Sequence, residues 1–164
     1  MNLTHARNLV AYNGWAWERV FASLRQLSQA DFTAERSYFW GSLYDLTLHC
    51  LAAEWIWLQR IHGTNPTSLQ EIGTFTGVAS IQERLQQEGR RWGAYVDQLS
   101  ADSLADPVTY KNTQGEAYEL TLGDIIHHVF NHATEHRGHM TPTLAQLGVP
   151  TEALDYMLFR LQGS

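Results

Sequence analysis

The chain is poor in cysteine and in positive charge, and it has no long hydrophobic run. A single cysteine among 164 residues, Cys50, excludes a disulfide within the chain, and we expect it to be a small buried helix residue. Lys and Arg number 11 against 17 Asp and Glu, which gives a net charge of -6. Nucleic-acid-binding proteins cluster basic side chains against phosphates, so this balance argues against that class.

The hydrophobic runs are too short for a membrane protein. No stretch approaches the ~18–20 apolar residues that a transmembrane helix needs. The first residues also lack the basic stretch and the unbroken apolar run of a signal peptide. We therefore expect a cytoplasmic protein with no membrane partner.

Composition and length indicate one globular domain over residues 1–164. Hydrophobic residues make up 44% and charged residues 17% of the chain, as in folded soluble proteins. Four segments repeat apolar residues at the three-and-four spacing that places them on one face of an α-helix. They predict helices at residues 2–27, 42–63, 80–99 and 121–147. Four amphipathic helices bury their stripes best against one another, so the predicted fold is all-α, a four-helix bundle.

Local patterns mark the helix starts and the turns. Ser42 and Ser80 are each followed three residues later by an acidic residue, Asp45 and Glu83, which is the pattern of a capping box. Two short β-prone runs flank the turn-like sequence Asn-Thr-Gln-Gly at 112–115, and they predict a small hairpin in the third connection. The tail is typical of a short C-terminal helix. The long connections leave room for a crossover in place of a simple up-down-up-down path.

The histidines are concentrated in one segment. Five of the eight lie between Ile126 and Met140. Imidazoles four residues apart on a helix can reach one metal ion with little strain, and both His128/His132 and His132/His136 have that spacing. The apolar stripe of this helix passes closest to His132 and His136, whereas His128 is turned further outward. We therefore predict His132 and His136 as an inward pair of metal ligands.

A third ligand is expected from another helix. His49 lies on the inward face of the second predicted helix, between Leu46 and Ala53. Three histidines with no dedicated fourth protein ligand describe an open site, in which water or substrate completes the coordination. The ion would lower the pKa of a bound water or thiol, and that bound group would be the catalytic one. Imidazole suits zinc, nickel and ferrous iron alike, so the residues leave the metal open.

One stretch of the fourth helix closely resembles the signature of a known family. Residues 128–139, HVFNHATEHRGH, are similar to the pattern Asn-His, three residues, His-Arg-Gly-Gln of the DinB/YfiT-like superfamily. The resemblance extends over nearly the whole chain, through Tyr-Asn-Gly-Trp at 12–15, the second predicted helix, and Leu-Gly at 147–148. One departure is His139, which stands where the signature usually has Gln.

This resemblance implies a bundle with an up-down-down-up path, often a homodimer, and a metal triad that maps onto His49, His132 and His136. Family members of known activity include thiol S-transferases that use low-molecular-weight thiols and a mycothiol-dependent maleylpyruvate isomerase, and others are described as metal-dependent hydrolases. The resemblance therefore implies a metal-dependent enzyme that acts on a small-molecule substrate, with a low-molecular-weight thiol as a candidate cofactor. A thiol held as thiolate near the ion would make a catalytic cysteine unnecessary.

A protease interpretation uses the same helix. His132-Ala133-Thr134-Glu135-His136 matches the inverted zincin pattern, in which Glu135 would be the general base and a downstream acid the third ligand. The only downstream acids are Glu152 and Asp155, and no second long helix follows to carry them. This interpretation is much weaker than the three-histidine one.

A non-catalytic interpretation also stays open. A protein that binds a metal or a small ligand without turnover, for example in a stress response, fits the same histidines. Two further residues are candidates for pocket positions near the metal. Asn13 is a polar residue on the apolar stripe of the first helix, where it is either a satisfied core amide or a pocket wall. His128 is one turn before His132.

Overall fold

The computed structural model describes residues 1–36 and 41–162. Residues 37–40, in the first connection, and 163–164, at the end of the predicted domain, lie outside this description. The elements in chain order are α1 Leu3–Leu24, α2 Gln29–Thr33, α3 Leu43–Ile61, α4 Val78–Asp97, β1 Pro107–Lys111, β2 Ala117–Thr121, α5 Leu122–Gln146 and α6 Tyr156–Gln162. The predicted all-α class, with a hairpin in the third connection and a short C-terminal helix, is confirmed. None of the helices in the described ranges combines the length and apolar character that a bilayer crossing requires.

The helix starts show which cap predictions were right. Ser42 Oγ accepts the amide of Asp45 at 3.0 Å, and the Asp45 carboxylate accepts the amide of Ser42 at 3.2 Å, so the predicted capping box is present. The predicted start at Ser80 was wrong, because α4 begins two residues earlier, at Val78. The Ser80 hydroxyl lies inside the first turn and accepts the amide of Thr76 at 3.2 Å. From this position the hydroxyl satisfies a backbone amide that precedes the helix, whereas an N-cap hydroxyl satisfies an amide of the first helical turn.

The core has two layers, one toward each end of the bundle. One layer takes residues from the first part of α1, the last parts of α3 and α4, and the first part of α5: Ala6, Ile56, Leu58, Trp92, Val96, Ile125 and Val129. The other takes the last part of α1, the first parts of α3 and α4, and the last part of α5: Val20, Leu24, Leu43, Leu46, Ile81, Leu85, Met140 and Leu144. Hence α1 and α5 run in one direction and α3 and α4 in the other, which fits the up-down-down-up path that the resemblance implies.

The seam between α3 and α5 positions the site. α1 and α3 lie diagonally across the bundle, since each packs against α4 and α5. α3 and α5 are antiparallel neighbours: Thr47 contacts Met140 near one end of the seam, and Trp57 contacts His128 further along. Beyond them, Tyr110 of β1 packs its ring on Trp57 at a centroid distance of 4.8 Å, so the hairpin covers that end of the seam.

Candidate metal centre

Three histidines meet on the seam between α3 and α5. His49 lies in the first half of α3, and His132 and His136 lie one turn apart in α5. The Nε2 atom of His132 is 3.1 Å from Nε2 of His49 and 3.0 Å from Nε2 of His136. One possible ligand atom from each residue lies within 4.8 Å of the other two. The structure therefore brings together all three residues that the sequence predicted as ligands.

This arrangement suits a metal ion better than hydrogen bonding among the rings. The nitrogen of a neutral imidazole carries either one proton or one lone pair, so Nε2 of His132 cannot serve both of its neighbours fully. A cation between the rings would use a lone pair from each. In a tetrahedral site with Zn–N bonds of ~2.0–2.1 Å, two ligand nitrogens lie about 3.3 Å apart. The spacings of 3.0 and 3.1 Å around His132 are close to that value.

The surroundings favour the neutral form of all three rings. Burial, with a further contribution from His136, lowers the pKa of His49 to about 4. Burial, then the nearby imidazoles of His136, His49 and His128, lower the pKa of His132 to about 3. Burial also lowers the pKa of His136, against the raising effect of the Glu135 carboxylate. Neutral rings offer lone pairs in place of protons, which is the state that metal binding requires.

Two further histidines of α5 flank the triad. His139 places Nδ1 at 3.4 Å from Nδ1 of His136, while Nε2 of His136 faces His132. His128, one of the two predicted pocket residues, is exposed, and its ring centroid lies 5.7 Å from that of His132. His128 is thus at the rim of the site, and His139 is placed to orient a ligand through the ring nitrogen that the metal would not use.

Asn13, the other predicted pocket residue, lies in the core and is only 2% exposed. Its Nδ2 donates to Oε1 of Glu54 at 2.9 Å, and its Oδ1 accepts from Arg137. Trp17 Nε1 donates to the same Glu54 oxygen at 3.1 Å. Of the two alternatives that the sequence left open, Asn13 is a satisfied core amide, and it joins α1 to α3 and α5.

Sequence reasoning missed the buried charges of this network. Glu54 is buried on α3, five residues after His49, and Arg137 is buried next to His136. Burial raises the pKa of the Glu54 carboxyl to about 7, although Asn13 and Arg137 favour its charged form. The signal was present, since Glu54 interrupts an apolar run. Its partners, however, come from helices far away in sequence, which periodicity cannot identify.

A cavity of about 240 Å³ adjoins His49 of the triad. It lies between α3 and the short 3-10 turn Leu69–Ile72, and His49 forms part of its wall. Apolar side chains form most of the remaining wall: Leu48, Ala52, Leu69 and Ile72. Asp45 and Gln70 add polar groups. The cavity has room for a small, mostly apolar substituent against His49, one of the three candidate ligands.

Cys50 and Glu135, which the sequence analysis considered for catalysis, do not lie where they would act as nucleophile or metal ligand. Cys50 is fully buried, and burial raises the pKa of its thiol, so the reactive thiolate is disfavoured. Glu135 is exposed, and the cluster of possible ligands consists of histidines alone within the described residues. The structure places neither downstream acid, Glu152 or Asp155, in that cluster, as the inverted zincin interpretation would need.

The chain matches a known protein family over almost its whole length. The family model described as "DinB family" matches residues 1–162. The chain belongs to the DinB family. The resemblance seen in the sequence is thereby confirmed, and two of the three histidines that meet on the seam, His132 and His136, stand at the histidine positions of the signature.

Relatives of this DinB-family chain extend over nearly its whole length. Protein DinB of Bacillus subtilis (strain 168) is 23% identical over 161 residues, which cover 94% of this chain and 92% of that protein. Among solved structures, the crystal structure of a DinB-like protein, YjoA, from Bacillus subtilis matches with a TM-score of 0.65 and 15% sequence identity. That match covers 90% of this chain and 96% of the other. At this identity the structural likeness supports the fold.

Proposed function

We propose that this DinB-family protein is a metal-dependent enzyme. One divalent metal ion would bind to His49, His132 and His136 and take part in catalysis. The observation that carries the proposal is the convergence of three Nε2 atoms from two helices, with separations of 3.0 and 3.1 Å around His132. Zinc, nickel and ferrous iron all suit such a ligand set. When bound, the ion would supply Lewis acidity and lower the pKa of a water or thiol in its open position.

The chain's own residues would hold the ligands in place and shape the space beside them. The seam fixes His49 against the α5 pair, and His139 would hold the His136 ring in one orientation through the 3.4 Å contact between their Nδ1 atoms. The cavity next to His49 would take an apolar substituent of a small-molecule substrate. Because Cys50 is buried, a nucleophile would come from water or from a low-molecular-weight thiol.

Two reaction classes agree with this arrangement. A thiol S-transferase would use a low-molecular-weight thiol as cofactor, with the thiolate favoured near the cation. A hydrolase would use water in the same position. An open position beside three neutral donors supports both reaction classes equally. Activity assays with thiols and with esters distinguish them.

A non-catalytic metal- or small-ligand-binding role is the second candidate. The metal-ligand cluster of the described residues contains no carboxylate, and the Glu135 side chain on the same helix is exposed. This observation favours binding without turnover, for example in a stress response. The two candidates share the metal site and differ in whether a substrate is converted.

Metal analysis of protein purified without chelators tests the shared part of both candidates. We expect about one divalent ion per chain, lost in His49→Ala and in His132→Ala while circular dichroism still reports a helical bundle. His5→Ala, at an exposed position, is the matched control and should keep the metal. Undiminished metal in both triad variants would contradict the proposed site.

A thiol panel then separates enzyme from binding protein. Glutathione, bacillithiol and mycothiol are each offered with an electrophile, with and without the metal, and ester hydrolysis is followed in parallel. A metal-dependent rate that disappears in His132→Ala supports an enzyme. Metal binding without any metal-dependent rate supports the non-catalytic role.

A further inference from the structure

Two rows of side chains lead away from the triad along the seam. On α3, residues at steps of four, four and three lie on one helix face: His49, Ala53, Trp57 and Arg60. On α5, His136, His132 and His128 follow one another at steps of four in the opposite chain direction. The metal ligands are thus at one end of this double row, and Arg60 is at the other.

Arg60 is a buried cation that has no counter-ion among the described residues. The residue is only 7% exposed, and its Nε atom is buried without a hydrogen-bond partner. Within residues 1–36 and 41–162, no hydrogen bond or ion pair of the Arg60 side chain is found. The guanidinium contacts two aromatic faces, with Cζ 4.7 Å from the Trp57 ring centroid and 5.1 Å from that of Tyr110.

Two other buried charged side chains of the described residues, Arg137 and Glu88, have hydrogen-bonding or ionic partners. Arg137 donates to Asn13 and to Thr134. The fully buried carboxylate of Glu88 accepts from Arg84 at 2.7 Å and from Arg91 at 3.0 Å. Nε of Arg137 also lacks a partner, but its two terminal nitrogens donate, whereas no hydrogen bond of the Arg60 guanidinium is found among the described residues. Burial of a charge is costly unless a partner compensates it. An anion supplied from outside the chain would provide that partner for Arg60.

The neighbours of Arg60 connect it to the triad. The Trp57 ring meets Tyr110 of the hairpin edge-on at 4.8 Å and His128 at 5.2 Å. His128 in turn lies 5.7 Å from His132, measured between ring centroids. A continuous series of side-chain contacts thus connects the Arg60 guanidinium, through Trp57 and His128, to His132.

We propose that Arg60, framed by Trp57, Tyr110 and His128, is an anion-binding subsite for a carboxylate or phosphate group. The proposal rests on the proposed function in one respect: the anion belongs to the molecule whose other end reaches the triad. His49 and Arg60 are eleven residues apart, which is about 16 Å along a helix axis, and the long arginine side chain shortens this span. The substrate class is therefore an elongated anion, with the reacting group at one end and the negative charge at the other.

A series of metal-chelating rulers tests this span. Each probe carries a hydroxamate at one end, a polymethylene spacer, and either a carboxylate or its methyl ester at the other end; the monohydroxamates of succinic, suberic and sebacic acid provide short and longer spacers. Binding to the metal-loaded protein is measured by calorimetry. We expect the longer spacers to show a preference for carboxylate over ester of about tenfold, the size of a charge-assisted hydrogen bond. The short spacer should show none.

Variants assign the preference to Arg60. Arg60→Gln should abolish the carboxylate preference while the methyl esters bind as before, and Arg60→Lys should retain part of it. Arg25→Gln, which removes the same charge from the end of the bundle at α1, is the matched control and should keep the preference in full.

The outcomes separate the two proposals. No hydroxamate binding at all would reject the open metal site itself. Hydroxamate binding without a length-dependent carboxylate preference in the wild-type protein would reject the Arg60 subsite alone, and this result does not depend on whether a variant folds. An unchanged preference in Arg60→Gln would show that Arg60 only clamps the hairpin to α3 through its aromatic contacts, and would overturn the inference.

Discussion

His139 and His136 place their Nδ1 atoms 3.4 Å apart, at the position where the family signature usually has Gln. One of these nitrogens can donate to the other, and a donor Nδ1 on His136 leaves its Nε2 with the lone pair that a metal needs. We predict that His139→Gln keeps metal affinity, because the amide oxygen can accept the same proton. His139→Ala should weaken metal binding by roughly tenfold or more. Competition with a metal-sensitive dye measures both, and equal affinities for Gln and Ala would contradict an orienting role.

The metal-free protein should lose stability as the pH falls. The pKa values of His49 and His132 are lowered by burial to about 4 and about 3, so the unfolded chain takes up protons on these rings first. Their contribution to the free energy of unfolding is therefore present above the ordinary histidine pKa of ~6.5. It is lost progressively as the pH falls toward 3. Urea unfolding of chelator-treated protein across this range measures the slope.

A double variant provides the control for that slope. His49→Gln with His132→Gln keeps polar side chains on the seam but removes both titrating rings. Its free energy of unfolding should depend less on pH between about 6.5 and 4 than that of the wild type. An identical dependence would mean that the seam imidazoles do not contribute.

Glu54 should impose the opposite pH dependence. Burial raises the pKa of its carboxyl to about 7, so the folded state holds a proton that the unfolded state gives up. Its contribution to stability is present below the unfolded pKa of ~4.5 and decreases as the pH rises toward 7. Glu54→Gln should remove that decrease, because an amide keeps an acceptor for Asn13 and Trp17 without ionising. Unfolding curves at pH 5 and pH 8 compare the two proteins.

Removing the Glu54 side chain altogether should cost far more. Glu54→Ala leaves the Asn13 and Trp17 donors without their acceptor and opens a cavity, which together cost about 2–4 kcal/mol. Urea unfolding of Glu54→Ala measures this loss directly. A cost similar to that of Glu54→Gln would indicate that water fills the vacated space.

We predict a homodimer in solution, with α6 as part of its interface. Met157 and Leu161 of this helix are 63% and 67% exposed, which is unusual for large apolar side chains and gives a surface that a second copy would cover. Sedimentation at micromolar concentration should show a dimer, and Leu161→Glu should shift it toward monomer. Gln146→Glu, an equal charge change at the exposed end of α5, should leave it dimeric. A monomer in the wild-type protein would reject the prediction.

Periodicity predicted the long helices and the meeting of the three histidines because both depend on which residues share a helix face. His49, His132 and His136 each lie at an inward step of their own helix, so two correct faces were enough to bring them together. The capping box at Ser42 was predictable for the same reason, since its two partners are three residues apart.

Features that depend on distant partners were not predictable in this way. The short helix α2 and the 3-10 turn Leu69–Ile72 contain too few residues for a periodic pattern, yet the turn forms one wall of the cavity beside His49. The buried network of Glu54 and Arg137 forms only where α1, α3 and α5 pack together, because Asn13 links the two side chains. Arg60 acquires its setting from a hairpin about fifty positions further along the chain.

The triad joins parts of the chain that are far apart, since His49 and His132 are separated by 83 positions. An ion shared between them would close a loop that contains α4 and the hairpin, and it would act as a reversible cross-link. Because only the folded chain presents the three nitrogens together, binding would raise the melting temperature with increasing metal concentration. The same link would slow the separation of α3 from α5, so a protease should cut the intervening segment faster after chelation than before it.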